Sequence, residues 1–226
     1  GITMGLAVNP NSGEIYVGSG GGVEIFHPEA IGDPSGVLFE RYSADENLRV
    51  GSLAFYQFED EDGLRSVPEL WATTWPDRSL VVRFNGFKRA ETVYRFDTQI
   101  DSITFGQSGT ALQNLLFVSH NNGPEAKNAE ERAWNGTSQL TMIDVVTRQQ
   151  TALAKGGTRG DVVQTTRAGR VLLSQSNQVD VISPAIVPVV SFVNPPNQAI
   201  VALPMPSIAI TFDQWMYTGS ASEARS

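Results

Sequence analysis

Short apolar runs alternate with turns along most of the chain, and the alternation itself repeats. Residues 5–8 are apolar, 9–13 form a turn, 14–17 are largely apolar again, 18–22 are small, and 23–26 are once more largely apolar. The same order returns with first runs opening at Gly5, Gly51, Asp101 and Gly160, separations of 46, 50 and 59 residues. One such copy is too short to bury its own apolar face, so repeated copies predict stacked β-sheets. Propeller blades recur at about 40–50 residues with four strands each. The longer last interval contains an insertion at 120–138.

Two kinds of strand are expected. Runs such as 69–73, 80–84, 115–119 and 171–174 are apolar at nearly every position, as strands covered on both faces are. Others, such as 179–182, mix apolar and polar positions. Residues 38–42 and 92–96 interleave charge with apolar groups and read as outer edge strands, where charge discourages pairing with other chains. Residues 125–134 are the best candidate for a short surface helix. A β-sandwich has similar strand spacing, but the preserved phase of turn, run and small-residue loop favours the propeller. Four blades are visible. The expectation is a piece of a larger propeller cut at both ends, the other reading being four blades that close on themselves.

Composition narrows the partners. The 226 residues carry 16 Lys+Arg against 24 Asp+Glu, a net charge of −8. That excess of acid argues against nucleic acid and against anionic membrane surfaces. The chain has no cysteine, which excludes disulfides and thiolate chemistry. No apolar stretch reaches membrane-spanning length, so no membrane insertion is expected.

The texture changes after Pro184. Pro188, Pro195, Pro196, Pro204 and Pro206 punctuate short apolar runs at 189–193, 200–203 and 207–214, which predicts a second β domain. The expected domains are therefore 1–184, the propeller blades, and 185–226, a truncated Ig-like domain. Val190 to Pro196, Ile208 to Asp213 and Met216 carry the second assignment: the segment resembles the opening strands of bacterial Ig-like domains of the S-layer type. The usual acidic Glu-Pro before that methionine is replaced by Gln214-Trp215. Over 1–184, Glu14-Ile15-Tyr16-Val17 with Val23-Glu24-Ile25, and Leu116-Phe117-Val118-Ser119 with Met142-Ile143-Asp144, resemble lactonase-like propellers with a Tyr-Val-Thr-Asn strand. They also resemble the related NHL and streptogramin-lyase propellers. The fold class expected is all-β: a propeller followed by the first strands of an Ig-like sandwich.

Candidate chemistry follows from where loops gather. In a propeller the loops joining second to third strands, and blade to blade, meet on one face. Binding candidates on that face are His120, Asn121, Asn122 and Trp134 in the long insertion, Trp75 and Asp77 in the loop at 74–79, and Arg159. Trp75 could stack on a sugar. Arg159-Gly160-Asp161 spells an integrin-type tripeptide but reads better as turn and strand start. The family resemblance implies a divalent cation such as calcium. Asp101 and Asp161 are the matching positions, joined by Asn121 or His120, although no acidic residue recurs in the other copies. The residues themselves show no nucleophile elbow, phosphate loop or dinucleotide fingerprint and no other cofactor motif. The expected function is a non-enzymatic binding or scaffold module of a large bacterial secreted or cell-surface protein, with a protein or glycan ligand. A metal-dependent lactonase- or lyase-type enzyme is the alternative.

Overall fold

A computed structural model of the chain describes residues 3–45, 47–121, 138–155, 162–183, 190–194 and 209–212. Within them the chain forms two compact units, Gly1–Pro184 and Ala185–Ser226. In the first unit four antiparallel meanders take a propeller arrangement. The first sheet is β1 (Thr3–Val8), β2 (Ile15–Ser19), β3 (Gly22–Phe26) and β4 (Phe39–Arg41). The second is β5 (Val50–Tyr56), β6 (Glu69–Thr74), β7 (Leu80–Phe84) and β8 (Ala90–Arg95). The third is β9 (Gln99–Phe105), β10 (Leu115–Asn121), β11 (Gln139–Asp144) and β12 (Gln150–Lys155). The fourth has three described strands, β13 (Val163–Thr165), β14 (Val171–Ser174) and β15 (Val179–Ile182).

The inner strands pack in sequence, β1 on β5, β5 on β9 and β9 on β13, with no comparable contact of β13 on β1 among the described residues. Two serines at matching positions tie successive inner strands. Ser52 Oγ of β5 accepts the Ile103 N–H of β9 at 3.1 Å, and Ser102 Oγ of β9 accepts the Val163 N–H of β13 at 3.2 Å. Where β1 meets β5 the approach is closer. A Cβ on Gly5 would stand 2.4 Å from the Gly51 carbonyl oxygen, so this position requires glycine.

Three hydrophobic clusters fill the three junctions between neighbouring sheets. Ala7, Tyr16, Val23 and Ile25 of the first sheet meet Val50, Leu53, Leu70, Ala72, Val82 and Phe84 of the second. Ala54, Trp71, Val81 and Tyr94 on the second sheet's other face meet Ile103, Phe105, Leu116, Val118 and Ile143. Phe117, Leu140 and Leu112 meet Val163, Val171 and Leu173. The continuous apolar runs are thereby explained. In β6, Leu70 and Ala72 serve one junction and Trp71 the next, and in β10 Leu116 and Val118 alternate with Phe117 in the same way.

The outer strands β4, β8 and β12 are mostly exposed, as edge strands carrying Glu40, Arg41, Glu91 and Arg95 would be. β12 has no sequence signal beyond weak alternation, and the pattern missed it. The fourth inner strand starts three residues later than the pattern suggests, at Val163. In the second unit β16 (Val190–Asn194) pairs antiparallel with β17 (Ala209–Phe212). The expected helix at 125–134 and the run at 200–203 lie outside the described residues.

Candidate functional site

The connections β6–β7 and β8–β9 leave the sheets at one end, here the upper end, and the connections β5–β6, β9–β10 and β13–β14 leave at the other. The upper end of the second and third sheets carries a polar cluster built on Arg78. Its guanidinium donates from Nη1 to Asp101 Oδ1 at 2.5 Å and from Nη2 to Gln99 Oε1. The Asp101 side chain is 4% exposed and that of Arg78 21%. Asn121 Nδ2 donates to the other oxygen of Asp101, and Ser138 Oγ donates to Asn121 Oδ1 at 2.8 Å. Strand geometry explains the convergence. Asp101 sits at the irregularity in the β9–β10 register, which turns it toward the β6–β7 loop, and Asn121 is the last residue of β10.

Arg78 also lies over Trp75, its Cζ 5.6 Å from the ring centroid. Trp75 is half-buried, and its backbone N–H donates to the Arg49 carbonyl at 3.0 Å. Asp77 is exposed and shapes the loop: its Oδ1 accepts the Ser79 N–H at 3.1 Å and its carbonyl accepts the Thr74 hydroxyl. A shallow cavity of about 300 Å³ continues from Ser138 and Gln139 to Gln175 and Asp180, between the third and fourth sheets.

His120 differs from its expected place. It lies inside β10 rather than in the loop after it, and it is 5% exposed. Its Nδ1 pairs with Thr98 Oγ1 and its Nε2 with Thr141 Oγ1, each at 2.8 Å, and Phe96 packs on the ring at 5.0 Å. Burial pushes its pKa down to about 4. The imidazole is neutral at pH 7, with both nitrogens engaged. A neutral buried histidine binds fewer protons folded than unfolded between about pH 6.5 and 4, so the stability it supports is complete above 6.5 and is lost as pH falls through that window. The expected loss reaches about 3 kcal/mol. Denaturant midpoints at pH 7.5 and pH 4 should differ less in His120→Gln than in the parent, and equal differences would contradict this.

Of the other candidates, Trp75, Asp77, Asp101 and Asn121 gather at this end, while Asn122, Trp134, Arg159 and Asp161 lie outside the described residues. The pattern offered no sign of Arg78, the residue that joins them. Both Asp101 oxygens receive donors, a guanidinium and an amide N–H, and no group of three or more histidine or acidic residues among the described ones could hold a metal. Asp161, the other position the resemblance implies, lies outside them.

A larger cavity, about 1010 Å³, opens at the lower end and is lined from all four inner strands. Sequence reasoning passed over it because the expectation that function gathers on one face of a propeller directed attention to the upper loops. The long connections 57–68 and 106–114 supply Gln57, Glu59, Arg65 and residues 106–110 of its lining, and their length was a usable signal.

No family model and no curated protein matches the chain. Among solved structures, the computationally designed protein Ika4 aligns over 80% of this chain and 91% of its own, at 14% identity and a TM-score of 0.46. The extracellular domain of BT4673 from B. thetaiotaomicron aligns over 80% of this chain at 17% identity and a TM-score of 0.44. That of BT3049 from the same organism aligns over 92% at 12% identity and a TM-score of 0.38. The chain spans 24% of the former and 32% of the latter.

Proposed function

We propose that the chain is a non-enzymatic binding module of a large bacterial secreted or cell-surface protein, taking a protein or glycan ligand at the upper end of the second and third sheets. Residues 185–226 belong, in this reading, to the start of an Ig-like spacer.

The observation that carries the proposal is the Trp75–Arg78–Asp101–Asn121 arrangement. The half-buried Trp75 lies under a guanidinium whose position is fixed by a buried carboxylate. Such a platform is ordered before any ligand arrives, so little rotamer entropy remains to be lost on binding. Aromatic faces flanked by charge suit both sugar rings and peptide side chains. The same geometry weakens the enzyme alternative. His120 is held neutral between two threonines, and Asp101 is engaged by Arg78 and Asn121, so neither is poised as base or cation ligand.

The purified chain, screened on immobilised glycans and bacterial surface proteins, should retain a ligand whose affinity falls by roughly tenfold or more in Trp75→Ala, as loss of a central aromatic contact does. A ligand held equally well by that variant, or metal-dependent turnover of a lactone, would remove the proposal.

A further inference from the structure

The cavity at the lower end is separate from this platform. Asp101 stands near the start of β9 and Phe105 at its end, and four intervening steps of strand span roughly 13 Å. At about 1010 Å³ the cavity is at the top of the range of small-molecule sites, roughly 300–1,000 Å³. Leu6 and Val8 come from β1, Leu53 and Phe55 from β5, Phe105 from β9 and Gln164 from β13.

Two kinds of group in the lining point to a ligand. The first is a set of amides and hydroxyls. Gln107 donates through Nε2 to the Thr165 carbonyl at 3.2 Å, which fixes its amide and leaves the oxygen as an acceptor. Ser108 and the exposed Gln164 add further donors and acceptors, whereas the Thr110 hydroxyl already donates to the Gln107 carbonyl at 2.7 Å and accepts the Leu112 N–H at 3.2 Å. The second is charge. In a chain of net charge −8, the charged residues of this lining are Glu59, Arg65 and Arg167, one acid against two bases. Glu59 Oε2 accepts from Arg65 Nε at 2.8 Å, which orients that guanidinium and leaves its terminal nitrogens available. Gly109, with φ of +73°, leaves room for this carboxylate, since a Cβ there would stand 3.1 Å from Glu59 Oε1. Arg167, on the β13–β14 turn, has no carboxylate partner among the described residues.

We infer that the lower cavity is a second binding site, for a hydroxyl-rich ligand that carries a carboxylate. Arg167 and the terminal nitrogens of Arg65 receive the carboxylate as charge-assisted, bidentate hydrogen bonds. Gln107, Gln164 and Ser108 meet the hydroxyls.

Isothermal titration of the full chain with a trimer of galacturonic acid tests this, with the fully methyl-esterified trimer and a triglutamate peptide as comparisons. The acid trimer should bind, and the ester and the peptide should each bind at least roughly tenfold more weakly, the scale of a hydrogen bond to a charged group. Arg167→Gln should weaken the acid trimer by a similar factor without moving the thermal midpoint, and Trp75→Ala should leave it unchanged. Absence of binding by the acid trimer, equal binding of the ester or of the peptide, or an unaffected Arg167→Gln would each overturn the inference. None of these outcomes bears on the upper platform, which Trp75→Ala tests separately.

Discussion

Replacing Gly106 by alanine is expected to destabilise the first unit by roughly 3 kcal/mol or more, the upper part of the range for overpacking a buried site. A Cβ at this position would stand 1.7 Å from the Leu112 carbonyl oxygen and 2.2 Å from its carbonyl carbon. These are backbone atoms, so no side-chain rotation relieves the clash. Leu112 is 5% exposed and packs in the cluster that joins the third and fourth sheets. The connection after β9 must therefore open, and Leu112 must leave that cluster. Gly86 is the matched control, because a Cβ there meets nothing within 4 Å. Urea denaturation should show a large loss of midpoint for Gly106→Ala and almost none for Gly86→Ala. Similar midpoints for the two variants would mean the approach of Gly106 to Leu112 is not as described.

Removing the carboxylate of Asp101 is expected to have the next largest effect. Asp101→Ala leaves Arg78 without its buried partner, and deleting one member of a buried pair costs about 3 kcal/mol or more. The low end applies, because the Arg78 side chain retains 21% exposure and so keeps some contact with water. The double variant Arg78→Met, Asp101→Leu should recover most of the loss, since apolar groups of similar size often replace a buried ion pair without penalty. It should also lose the ligand of the upper platform, because Trp75 then stands without its guanidinium. A double-mutant cycle by chemical denaturation reads the first effect and the binding screen the second. Full stability of Asp101→Ala alone, or a double variant as unstable as that single one, would contradict the account.

The β architecture was readable in the sequence because the junctions between sheets impose a rule on every central strand. β6 and β10 must place apolar groups on both faces, and a run such as Leu70-Trp71-Ala72 has few other uses in a chain without a membrane-length segment. β12 was missed for the opposite reason: all six of its residues are exposed, so burial puts no pattern on it. The upper site was legible in part. Trp75, Asp77 and Asn121 were singled out as binding candidates from loop position and residue type, and Asp101 as a metal position implied by the family resemblance. Arg78 was not, since its partner is 23 residues away and no local spacing reports the pair. His120 shows how small the margin is. Reading it as a loop residue placed it at the mouth, whereas its position inside β10 points it inward to Thr98 and Thr141. In a pleated strand, a boundary wrong by two residues decides which groups face solvent.

The three hydrophobic clusters have an evolutionary corollary. Each interior is shared by two adjacent meanders and by no third, so a duplicated copy can be spliced onto the array without redesigning those already present. Only the newly made junction must find complementary side chains. Related proteins should therefore vary in copy number more readily than in the content of a single copy, and the damage from a core substitution should stay with the two meanders that share it.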